Sequence, residues 1–241
     1  MGAEGGTPGD EGAEEAAMTT ASKLRQLEIV AHHEAGHMVA ALAAGLKPDR
    51  VMIRAKTGRM AGLRFSSDPD QCFKLPVYTF AGPLAEMLYE NGFGTADFET
   101  IELSMEEAMV LTMEKAMEER KYGPWARDYF QIELMLYHLA GVDVTSGARS
   151  FIAMARKFCD PTLHVTPEQR RKIAGGRRMA LRLAFVILAR NWGKVQILGK
   201  ALLERGSLSS GQVKRLIGPL WRPGADGGGI GSVASGSGSG K

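Results

Sequence analysis

Between residues 24 and 46 apolar side chains recur at alternating three- and four-residue steps: Leu24, Leu27, Ala31, Ala35, Met38, Leu42 and Leu46. That period is the one an amphipathic α-helix requires, and no proline intervenes before Pro48. Each residue turns a helix by about 100°, so His33 and His37 lie roughly 40° apart on the face opposite this stripe. Ile29 and Val30 flank the histidines. The helix is therefore predicted to be buried on both sides.

The pattern changes after Pro48. Residues 50–54 alternate in part, Thr57-Gly58 offers a turn, and residues 60–65 read as a second short strand, which together predict a β-hairpin. A second helix is expected over residues 75–90, with Ala81, Leu84 and Leu88 on one face, Pro76 in the first turn, Pro83 at a kink, and Asn91-Gly92 as its stop. Ser104 with Glu107 three residues on reads as a capping box opening a helix to about residue 120. Met105, Met109, Met113 and Met117 then stand four apart, a stripe of adaptable side chains expected in the core. Further helices are predicted over residues 126–139, 146–158, 167–191 and 211–217, with Thr166 capping the third of these and Pro167 at its first position.

An apolar fraction of 44% over 241 residues is enough for a sizeable core. The ends differ from the middle: an acidic Gly/Ala/Glu-rich stretch over residues 1–22 and a Gly/Ser-rich stretch over residues 222–241 are expected to be disordered tails around a single domain at 23–221. Cys72 and Cys159 lack paired metal or redox spacing and are expected to be reduced bystanders. The longest apolar run, residues 181–189, is too short for a bilayer and contains Arg182. The acidic start has no signal-peptide character, so a cytoplasmic protein without a membrane segment is expected. From Thr166 to Arg215 twelve basic residues face two acids, Glu168 and Glu204. These charges are spread along an amphipathic helix without regularly spaced aromatics, which favours a solvated face over nucleic-acid binding.

His33-Glu34-Ala35-Gly36-His37 carries the chemistry. Two imidazoles a helical turn apart can reach one ion, zinc suits nitrogen plus carboxylate ligands with a fourth position left to water, and the glutamate between them can act as base. Gly36, unfavourable by about 1 kcal/mol against alanine in a helix, points to close approach by another segment. His32 projects about 100° from His33, which suggests a surface or supporting role. A third protein ligand is needed. His138 and His164 lack a supporting pattern, Glu86 and Asp97 are the better candidates, and spacing alone does not choose between those two.

These motifs resemble the FtsH-type ATP-dependent zinc metalloproteases over roughly residues 28–218. The Ala-Gly filling of the histidine motif is typical of that family. Ala81-Gly82-Pro83-Leu84-Ala85-Glu86 is similar to its Gly-Gly-Arg-Ala-Ala-Glu segment, Asp97 follows a Gly/Thr-containing loop, and Ala201-Leu202-Leu203-Glu204-Arg205-Gly206-Ser207-Leu208 is similar to its closing helix and turn. The resemblance implies an α+β fold, predominantly helical with a small β-sheet beside the active-site helix. It further implies zinc held by His33, His37 and Asp97, Glu34 as catalytic base, and Glu86 holding a ligand's orientation. The hairpin falls where the family has a strand edge, to which an extended polypeptide substrate could add.

The departures bear on function. No glycine-rich nucleotide loop is present, so the family's unfolding step would need a separate ATPase as partner. Ala81 and Pro83 replace the family's glycine and arginine, which bears on oligomeric assembly. The expected activity is zinc-dependent hydrolysis of unfolded or flexible polypeptides. The alternative is a catalytically silent, peptidase-like binding or regulatory module.

Overall fold

The computed structural model describes residues 11–53, 59–61, 74–93, 97–119, 124–143, 163–220 and 222. Six helices are described: α1 (Glu11–Ala43), α2 (Lys74–Asn91), α3 (Phe98–Glu119), α4 (Pro124–Leu139), α5 (Pro167–Arg205) and α6 (Ser210–Ile217). Three short strands, β1 (Arg50–Met52), β2 (Arg59–Ala61) and β3 (Ser207–Ser209), form an antiparallel sheet in the order β2-β1-β3. The architecture is mostly helical with a small sheet, and β1 and β2 both pack beside α1.

Helix α1 is the spine, packed chiefly on α2 and α5. Every residue from Ala31 to Ala43 is buried, as apolar positions on both sides of the histidines predict. Close contact between α1 and α2 depends on small residues. A Cβ built on Gly36 would lie 2.4 Å from the Ala81 carbonyl oxygen and 2.5 Å from the Ala85 Cβ, so any larger residue would force the helices apart. Helix α2 is buried continuously from Leu75 to Ala85 and accommodates Pro83. It ends at Asn91, before Gly92 at positive φ.

The predicted hairpin is present, with Val51 opposite Met60, and the Thr57-Gly58 turn lies outside the described residues. Strand β3 was not expected. Its three residues follow Gly206, whose left-handed backbone (φ 68°) ends α5 and turns the chain to place Leu208 opposite Val51, both fully buried. Three residues are too few to show a strand period in sequence.

Three further boundaries differ. The backbone is helical from Glu11, inside the stretch assigned to a disordered tail, because Ala and Glu are good helix formers even where no apolar period exists. Helix α3 is capped at Asp97 rather than Ser104: Asp97 accepts the Thr100 amide at 2.8 Å and the Thr100 hydroxyl at 3.0 Å, so the helix starts at Phe98, seven residues earlier than expected. Met105 and Met109 are in the core as expected; the side chains of Met113 and Met117 lie outside the described set. Helix α5 begins as predicted, with a Thr166/Gln169 capping box. It bends at Asn191 (φ −122°, ψ 16°) and resumes to Arg205, where the sequence pattern stops it at Asn191. The expected helix over 146–158, both cysteines and the two terminal stretches 1–10 and 223–241 are outside the described residues. No helix among the described residues is long and apolar enough to cross a membrane.

Candidate metal centre

Three helices bring the site together. Helix α1 supplies His33, Glu34 and His37, α2 supplies Tyr78, Gly82 and Glu86, and α4 supplies Asp128. The histidines are 3% and 4% exposed and face each other edge-on, with Nε2 atoms 3.1 Å apart. Asp128 Oδ2 lies 3.1 Å from His33 Nε2 and 3.4 Å from His37 Nε2.

The opposite nitrogen of each ring decides what these contacts mean. His37 Nδ1 is 2.9 Å from the Tyr78 carbonyl oxygen, which can only accept, so this nitrogen carries the proton. His33 Nδ1 likewise donates to Glu86 Oε2 at 3.1 Å. In the neutral tautomers both Nε2 atoms then present lone pairs, and both point at a carboxylate oxygen that presents another. Such a triangle of acceptors is stable only around shared positive charge.

Its size suits a metal ion. Zinc–nitrogen bonds of about 2.0–2.1 Å at a tetrahedral angle separate neighbouring donor atoms by about 3.3 Å, close to the three separations above. Glycine at position 82 leaves the room: a Cβ there would lie 2.3 Å from His37 Nε2 and 2.8 Å from His33 Nε2. Among the described residues, His33, His37 and Asp128 are the group of metal-ligating side chains that could hold an ion.

Without an ion, a proton supplies the positive charge that this donor set requires, and a metal ion would displace it. Burial alone would depress His33, but Asp128 and Glu86 outweigh it and hold the imidazole up at about 10. Burial would raise the Asp128 carboxyl, yet the two imidazoles hold it down at about 2. Glu34 behaves differently. Burial pushes its carboxyl up to about 7 against the pull of His37 and His33, and its buried Oε2 has no hydrogen-bond partner among the described residues. The side chains of Asp128 and Glu86 keep 16% and 15% of their exposure, so the carboxylate side is where the cluster meets solvent.

His33, Glu34 and His37 converge with Glu86, as the sequence reading expects. Asp97 does not. It is exposed and occupied in capping α3, and the acidic oxygen beside the histidines belongs to Asp128. The family resemblance implies Asp97 as the third ligand, but its carboxylate is taken up at the start of α3. Asp128 carries a local sequence signal of its own. It precedes Tyr129 and stands four residues before Ile132, both buried, so it is a charged residue on the inward face of a helix. His32 is likewise not a surface residue. It is buried, stacked on Tyr89 with ring centroids 3.8 Å apart, and its Nδ1–H donates to the Glu28 carbonyl at 2.7 Å. Gly199 of α5 makes room for that ring. His138 and His164 are exposed.

The described residues thus define a mainly helical protein with a buried two-histidine, one-aspartate cluster able to hold a metal ion. No protein-family model matches the chain, and no curated protein matches it.

Proposed function

We propose that the protein is a zinc-dependent hydrolase acting on peptide bonds of unfolded or flexible polypeptides. The observation that carries this reading is the pairing of a three-acceptor cluster, whose tautomers are fixed from behind, with an adjacent buried carboxylate that has an idle oxygen. A purely structural metal site would give no reason to bury a third acidic group, after Asp128 and Glu86, with one oxygen left unpaired beside the donors.

His33, His37 and Asp128 would hold a zinc ion, which would supply Lewis acidity towards a carbonyl and a water. Glu34, buried beside the donors with one oxygen unpaired, takes the proton of the attacking water and returns it to the departing amine. Glu86 and the Tyr78 carbonyl keep the imidazoles in the tautomers that leave Nε2 free to bind. The resemblance of the histidine motif and of residues 81–86 to the FtsH-type zinc proteases supports a polypeptide as substrate.

The test combines elemental analysis with turnover of casein, with and without chelator, in the wild-type protein and Glu34→Gln. Stoichiometric zinc and chelator-sensitive cleavage abolished by Glu34→Gln are expected. Zinc without turnover would instead favour a silent binding module, and turnover equal in all samples would remove the proposal.

A further inference from the structure

Helix α3 presents two unlike faces. Ile101, Met105 and Met109 are buried, whereas Leu103, Val110 and Leu111 are 63%, 56% and 65% exposed, among the exposed acids Glu99, Glu106 and Glu107. At about 100° per residue the three apolar residues fall within an arc of roughly 100°, and no basic residue occurs between 98 and 111. Helix α5 presents the opposite character. Met179, 69% exposed, shares a face with the exposed Arg171, Arg178 and Arg182 and with Gly175, whose missing side chain leaves open space.

The two helices adjoin within one molecule and run antiparallel where they meet. Phe98 meets Phe185 and lies under the Arg182 guanidinium at 5.7 Å, while Glu102 pairs with Arg178 at 3.0 Å. An acidic helix with three exposed apolar side chains and a basic helix with one, Met179, therefore stand side by side. We infer that this surface is an isologous dimer interface, in which the acidic face of α3 in one copy lies on the basic face of α5 in the other.

Symmetry carries the inference. A two-fold axis lying in the interface and parallel to the helices exchanges left for right, so each acidic face meets a basic one and both contacts form at once. Without that operation the same surface would leave Leu103, Val110 and Leu111 exposed beside Glu106 and Glu107. The described faces, residues 98–111 of α3 and 171–182 of α5, cover about 20 Å by 20 Å, roughly 400 Å² a side, below what tight dimers bury. The association should accordingly be moderate and weakened by salt.

The test is sedimentation velocity on the full chain and two charge-reversed variants, Glu106→Lys/Glu107→Lys and Arg171→Glu/Arg182→Glu, which spare the Glu102–Arg178 pair. The wild type is expected to dimerise at concentrations up to about 100 μM, and each variant alone to dissociate at least about tenfold more readily. Mixing the two variants should restore a dimer, because a mixed pair has lysine facing glutamate at one contact and the native charges at the other. Circular dichroism of each variant checks that it is folded. A wild type monomeric throughout, or a mixture that stays monomeric, overturns the inference. So does a monomer that binds a basic amphipathic peptide through Leu103 and Leu111, which would assign the α3 face to a foreign helix.

Discussion

Gly82 and His37 face each other across the α1–α2 contact so closely that a Cβ on Gly82 would lie 2.3 Å from His37 Nε2. The residue's contribution is therefore the space in front of the imidazole. Gly82→Ala puts a methyl group where the donor atoms converge, and one of the rings must turn away to admit it. The expected result is loss of most bound zinc, measured by elemental analysis. Helical circular dichroism should change little, because alanine is favoured over glycine in a helix by about 1 kcal/mol.

Asp128 and Asp97 make opposite predictions. Asp128→Asn removes the anionic donor from the cluster and should lower zinc affinity at least about tenfold, while Asp97→Ala should leave zinc binding intact. The capping hydrogen bonds of Asp97 hold its carboxyl below the usual range. Its contribution to stability is thus present above the unfolded carboxyl's pKa and is lost as pH falls through the folded value. Titrating both variants with zinc in competition with a chromogenic chelator separates them. Loss of binding in Asp97→Ala alone would overturn the assignment of Asp128.

Glu86 acts through His33. Glu86→Gln keeps an acceptor near Nδ1 but removes the charge that fixes and polarises the ring, so zinc affinity is expected to fall by about 10- to 100-fold without disappearing. Glu86→Leu should fall further. Equal loss in both variants would mean that Glu86 serves packing rather than the orientation of the ring.

The Glu133–Arg177 pair on the far part of α4 gives a pH signature separate from the site. Arg177 binds both carboxylate oxygens, at 2.7 and 2.9 Å, yet burial outweighs it and leaves the Glu133 carboxyl raised. A carboxyl raised in the folded state holds its proton more tightly there than in the unfolded chain. Stability is therefore lost as pH climbs from the unfolded value near 4.5 through the folded one. Glu133→Gln lacks this slope. The melting-temperature advantage of wild type over Glu133→Gln should be largest in acid and shrink towards neutrality, as calorimetry would show.

What the sequence disclosed and what it withheld follow from range. The histidine pair, its burial, and the close approach that Gly36 permits were legible because helical periodicity is local, and one turn of α1 places the residues concerned. The Thr166 cap and the first hairpin strands were legible for the same reason. Asp128 was legible only as an acid on the inward face of a helix, not as a ligand, since its partners lie 91 and 95 residues away and nothing in the spacing of a helix says which distant face it will meet. Strand β3 was hidden too, because three residues carry no period and their pairing with β1 depends on a turn made possible by Gly206. Asp97 misled because one motif, an acid after a glycine-rich loop, serves both capping and ligation.

The distance between Asp128 and His33 along the chain has a last consequence. An ion gripped by both would tie α4 to α1 and enclose nearly a hundred residues, restricting the unfolded polypeptide much as a covalent cross-link does. Loading would then be coupled to folding, and amides in α4 would exchange with deuterium more slowly once the cross-link is made.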